Sequence, residues 1–169
     1  MEERLKWWKT APQGYHALVG VDLYVNDSSI EKPLLELVKL RASQINGCAY
    51  CIDMHWKDAR AAGESEQRLY SLDAWREAPF YTDRERAALA WTEALTLISQ
   101  THAPDDVYAQ VRAQFSEAET ADLSLAIATI NAWNRMSISM RAPEAGTYDP
   151  SRRRVAPPPE QATKAMAGD

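Results

Sequence analysis

The chain has 169 residues, 46% apolar and 25% charged, the balance of one soluble globular domain with its own core rather than two. A net charge of −5, from 24 acids against 19 bases, and the lack of a basic stripe argue against nucleic acid as a partner. No apolar run approaches the roughly 20 residues of a membrane span. The start, MEERLKWWKT, is charged and lacks the apolar stretch of a secretory signal, so a cytoplasmic protein is expected.

In chain order, Pro12 opens a first helix carrying Tyr15, Leu18, Val19 and Val25, weakened by Gly14 and Gly20. Asn26-Asp27-Ser28-Ser29 reads as a turn. Pro33 fits the first turn of a second helix, where a missing N–H costs nothing. Leu34, Leu35, Leu37, Val38 and Ile45 continue it at spacings near three and four. Gly47 interrupts, and a third helix is expected from about Cys48 to Ala62, with Gly63 as its stop. A short helical segment around Leu69–Trp75 ends at Pro79. Thr82-Asp83-Arg84-Glu85 is a capping box, opening a helix that carries Ala88, Leu89, Trp91, Leu95 and Ile98 and stops near Thr101–Pro104. Another helix spans about Asp105 to Phe115. Ser116-Glu117-Ala118-Glu119 is a second capping box, starting the last long helix with Leu123, Ile127, Ile130, Trp133 and Met136 on one stripe.

No segment alternates as a strand does. The expected fold class is all-α, a single bundle of roughly six to seven helices over residues 1–141. The Pro-rich tail, 142–169, reads either as flexible or as a segment laid on a neighbouring subunit.

The chemistry concentrates in the third helix. The two cysteines, Cys48 and Cys51, close too short a loop to staple a fold, so the pair reads as chemistry. Positions three and four apart share a helix face, so Cys48, Cys51 and His55 project together. The helix start favours a thiolate at Cys48, whereas closeness to His55 favours one at Cys51. Tyr50 carries a hydroxyl between them. Glu36, among Leu34, Leu35, Leu37 and Val38, needs a partner for its carboxylate. If the second and third helices form a hairpin across Gly47, Glu36 reaches His55 and orients it. Three readings stay open: a redox pair, a metal site and two buried thiols. Zinc needs a fourth ligand, which His16, His102 or Glu36 would have to supply. Asn131-Ala132-Trp133-Asn134-Arg135 is either a solvent-facing helix edge or a buried hydrogen-bonding patch. Trp56, next to His55, is a candidate wall of the site.

The string from Leu37 through Ser43-Gln44-Ile45-Asn46-Gly47-Cys48-Ala49-Tyr50-Cys51 to His55 closely resembles the core motif of the alkylhydroperoxidase D (AhpD)-like family, in the carboxymuconolactone decarboxylase superfamily. The resemblance extends over Thr82–Leu95 and Asn131–Arg135, and so over most of residues 12 to 141. It implies an all-α fold assembling into homo-oligomers, trimers or hexamers, and a thiol-dependent, peroxiredoxin-like alkylhydroperoxidase. Its dithiol becomes an intramolecular disulfide and is reset by an external dithiol or protein donor, with no bound cofactor or metal. The matching site residues are Cys48, Cys51, His55 and Glu36. One departure is that the best-studied members carry a second histidine where this chain has Tyr50, a poor base at neutral pH. The alternatives are a disulfide-exchange or redox-sensing protein and, less favoured, a metal-binding assembly protein.

Overall fold

The structure is a computed structural model that describes residues 2–152. The remainder of the expected tail, 153–169, lies outside the described residues. Nine α-helices run in order among them. They are α1 (Trp7–Thr10), α2 (Pro12–Asn26), α3 (Lys32–Asn46), α4 (Ala49–Ala61), α5 (Glu66–Tyr70), α6 (Asp83–Thr96), α7 (Ile98–Thr101), α8 (Asp105–Gln114) and α9 (Glu117–Met140). The fold is all-helical, as expected, but six to seven helices was an undercount. The additions, α1 and α7, are four-residue turns, too short to show a periodic stripe. The helix opened by Thr82 also ends earlier than expected, at Thr96, which leaves Ile98 exposed on α7.

Local chemistry sets the boundaries. Pro33 sits in the first turn of α3, and both capping boxes close as the sequence dictates. Gly47 ends α3 at φ 69°, a left-handed conformation that a Cβ would strain. Its N–H donates to the Gln44 carbonyl, and that of Cys48 to the Ser43 carbonyl, so the chain turns directly into α4.

The central element is α3, packed against α4, α6 and α9 at once. Its helix is therefore buried nearly all round, from Leu34 to Leu40. One core cluster joins Leu34, Leu35 and Val38 to Trp91, Leu123 and Ile127. A second joins Leu37 and Leu40 to Leu69, Leu72, Trp75 and Leu89. A third, smaller cluster holds Ala42, Cys48, Cys51 and Ile130. Helix α2 buries only Val25 of its expected stripe.

The Asn131–Arg135 patch resolves residue by residue. Asn131 and Asn134 are buried, while Arg135 is exposed. Asn46 Nδ2 donates to Asn131 Oδ1 at 2.9 Å and to Asn134 Oδ1 at 2.8 Å. Asn134 Nδ2 donates to Ser43 Oγ at 3.1 Å, and Asn131 Nδ2 to Thr96 Oγ1 at 3.0 Å. This network ties α9 to the end of α3, just before the cysteines, and satisfies groups that would be costly to bury alone.

Candidate active site

The turn at Gly47 makes Cys48 the N-cap of α4 and leaves Cys51 and His55 on its buried face. Cys48 Sγ and Cys51 Sγ lie 2.7 Å apart, both as free thiols. Because α3 and α4 form a hairpin, Glu36 crosses to His55. Its Oε2 is 2.8 Å from His55 Nδ1, and both residues are buried, at 7% and 5% exposure. His55 Nε2 is buried with no hydrogen-bond partner among the described residues. An imidazole tied at one nitrogen and open at the other is set to hand a proton to, or take one from, a bound molecule.

The two thiols differ in character. Hydrogen bonding with the Cys51 sulfhydryl pulls Cys48 down to about 7, against desolvation; the Cys51 backbone N–H and the Asn134 and Ser137 side chains add to the effect. The same hydrogen bond, then burial, pushes Cys51 up. The pair thus shares one proton and carries one negative charge above neutral pH. The pKa is lowered, so the charged form is gained as pH rises through about 7. The ultraviolet absorbance of the thiolate, which needs no access to the sulfur, should therefore climb to half its plateau near pH 7, against about 8.5 for an ordinary cysteine. A midpoint at the ordinary value would mean that Cys51, Asn134 and Ser137 do not stabilise the thiolate. Burial pushes the Tyr50 phenol up to about 12, so it serves as a hydrogen-bonding group and not as a base.

Above the thiols lies a cavity of about 470 Å³. Cys51, Tyr50 and His55 line it; Cys48 sits behind Cys51 and does not. Aromatic rings from three elements make much of the wall. Trp7 of α1, Tyr15 of α2 and Trp133 of α9 meet with centroids 5.2 to 5.7 Å apart. Trp56, the expected wall, points into the second core cluster instead, because neighbouring positions on a helix face about 100° apart. Charged residues that the sequence did not mark also line the cavity. Lys39 is buried and donates to Asn26 Oδ1 at 2.9 Å and Asp22 Oδ1 at 3.3 Å. Asp58 contributes one turn beyond His55. Ser137 Oγ stands 3.9 Å from Cys51 Sγ. Lys39 and Asp58 follow Glu36 and His55 by one turn, and that spacing was the one available signal for them.

The zinc alternative drew on Cys48, Cys51 and His55, with His16, His102 or Glu36 as the fourth ligand. Among the described residues, the group with metal-ligating atoms within 4.8 Å of one another is Glu36, His55 and Asp58, without either cysteine. His16 is exposed beside Tyr15, and His102 ends α7 in a left-handed conformation.

A buried dithiol at a helix start, backed by a carboxylate–imidazole pair under an aromatic cavity, defines an all-helical thiol protein. The chain belongs to the carboxymuconolactone decarboxylase family, in its AhpD-like branch; the family's sequence model matches residues 11–94. It is 46% identical to the uncharacterized protein YdfG of Bacillus subtilis over 140 residues, which are 83% of this chain and 95% of YdfG. In structure it is similar to ATU0492 from Agrobacterium tumefaciens, a protein of unknown function provisionally assigned to AhpD antioxidant defence. That likeness has a TM-score of 0.82 and 43% identity, over 85% of this chain and 98% of the other. The debrominase Bmp8 shares the fold, with a TM-score of 0.71 at 20% identity, over 82% of this chain and 74% of Bmp8. No described helix is long and apolar enough to cross a membrane.

Proposed function

We propose that the protein is a thiol-dependent hydroperoxide reductase, and the observation that carries this reading is Cys51 in the cavity wall with Cys48 behind it and His55 beside it. Cys51 Sγ attacks the terminal peroxide oxygen. The S–O bond forms as the O–O bond breaks, and the Cys51 proton passes to the Cys48 thiolate. The departing alkoxide takes a proton held by the Glu36–His55 pair and leaves as the alcohol. Cys48 then condenses with the Cys51 sulfenic acid, water leaves, and a disulfide forms. An external dithiol opens that disulfide by exchange and is itself oxidised. No resident cofactor is needed for any of these steps.

Steady-state reduction of cumene hydroperoxide, with dihydrolipoamide recycled as electron source, tests this directly. Sustained turnover is expected. A reduced protein with no turnover would instead favour disulfide exchange or redox sensing, a reading that Tyr50, too weak a base to help, already makes the natural second.

Assembly into homo-oligomers belongs to the same proposal. Helix α2 is rich in apolar residues yet buries only Val25, and Tyr24 beside it is 58% exposed. Light scattering at micromolar concentration should give a multiple of the 19.0 kDa chain; a monomer would remove this part.

A further inference from the structure

The first part of the expected tail, residues 142–152, lies on α4 of its own chain. Three polar contacts hold it there. The Gly146 N–H donates to Asp53 Oδ2 at 3.1 Å, Lys57 Nζ to the Tyr148 carbonyl at 3.0 Å, and Tyr148 Oη to Asp58 Oδ1 at 2.6 Å. Lys57 also pairs with Asp53 at 2.9 Å, so the anchoring side chains brace one another. Just before the strap, the Arg4 N–H donates to the carbonyl of Met140, the last residue of α9, at 3.0 Å.

This strap is placed to do more than cover a helix. Ala142, Pro143 and Tyr148 form one side of the cavity. The Tyr148 ring meets the Tyr50 ring edge-on, with centroids 6.4 Å apart and an interplanar angle of 85°. Tyr50, Cys51 and Tyr148 all line that cavity, so the Tyr148 ring bounds the same space that the Cys51 sulfur faces. Its hydroxyl is fixed by Asp58, whose carboxylate lies within 4.8 Å of the Glu36–His55 pair. An aromatic ring held at both its backbone and its hydroxyl has little freedom to move aside. The segment lies beyond residues 11–94, which match the family as a whole.

We propose that Tyr148 is the specificity-determining wall of this site: its ring, held at its backbone by Lys57 and packed edge-on against Tyr50, sets the size of the organic group that reaches Cys51. The inference rests on the peroxidase reading for its substrate, but not for its geometry. Pocket walls discriminate by size because a bulky group must either fit or displace packed atoms. Removing the ring should speed larger molecules relative to small ones. Removing only the hydroxyl leaves the wall in place and frees one anchor.

The test uses the full reduced protein as wild type, Tyr148→Ala and Tyr148→Phe. Thiol alkylation is measured with N-ethylmaleimide and with the bulkier N-benzylmaleimide, and peroxide reduction with tert-butyl and cumene hydroperoxide. In Tyr148→Ala the rate for the bulky reagent over the small one should rise about fivefold or more, in both assays, while Tyr148→Phe stays within about twofold of wild type. General loosening of the fold speeds both reagents alike and does not reproduce this pattern. An unchanged ratio in Tyr148→Ala overturns the proposal. A shifted maleimide ratio in a protein that turns over neither peroxide upholds the wall and retires the peroxidase reading. Turnover of both peroxides with no change in either ratio does the reverse.

Discussion

Cys48→Ser and Cys51→Ser are each expected to lose catalytic turnover of hydroperoxide by more than about a thousandfold, because groups acting as one unit fail together. The two variants should nevertheless differ in a single reaction. In Cys48→Ser the cavity-facing Cys51 remains, so one equivalent of peroxide is consumed and the sulfur stops at the sulfenic acid. Dimedone then labels it, seen as a mass increase on the peptide carrying Cys51. In Cys51→Ser the remaining thiol sits behind the wall, and neither the burst nor the label should appear. Labelling of Cys48 alone would exchange the two roles. Full turnover in either single variant would sink the two-thiol mechanism altogether. Serine suits both positions because it removes the sulfur at almost constant volume in a cluster with Ala42 and Ile130, where voids are costly.

Glu36→Gln should lower kcat by about a hundredfold with KM little changed, the usual size for a lost acid–base group. The amide is isosteric and still meets His55 Nδ1, so the α3–α4 crossing is kept. What is lost is the negative charge that lets the pair hold a proton for the leaving alkoxide. Single-turnover oxidation should slow by the same factor, and reduction of the disulfide by dihydrolipoamide much less. Equal slowing of both half-reactions would assign Glu36 a structural role instead. His55→Ala is a less clean probe, since it leaves a buried carboxylate facing a void. Leaving a buried polar group without its partner costs about 1–3 kcal/mol, and more for a charged one, enough to confuse activity with folding. Thermal unfolding of the Gln variant, expected close to wild type, checks that the comparison is sound.

Much of the site was legible because it is local. Cys48, Cys51 and His55 fall on one helix at spacings of three and four, and the Gly47 turn folds the preceding helix back over them. Glu36 was readable for a different reason: a carboxylate amid four large apolar residues must find a partner, and the hairpin supplies His55. The residues that escaped are those brought in by other elements. Tyr148 is nearly a hundred positions from Tyr50, and nothing around either one announces that they meet. Trp56 illustrates the opposite error, since adjacency to His55 in sequence places it on a different side of the helix.

The helical class, six of the helix locations, both capping boxes and the dithiol–histidine face were readable from the amino acids alone, since all follow from hydrogen bonding and periodicity within a few residues; the helix expected around Leu69–Trp75 instead lies at Glu66–Tyr70, followed by a tighter turn at Leu72–Ala74. Which sulfur faces the cavity, which rings wall it, that Lys39 and Asp58 line it, and that Ala142, Pro143 and Tyr148 close one side were visible in the packed molecule alone. The physical reason is that backbone hydrogen bonds and side-chain spacing act locally, whereas a cavity is made where distant segments pack, and packing depends on shapes that no short window of sequence records.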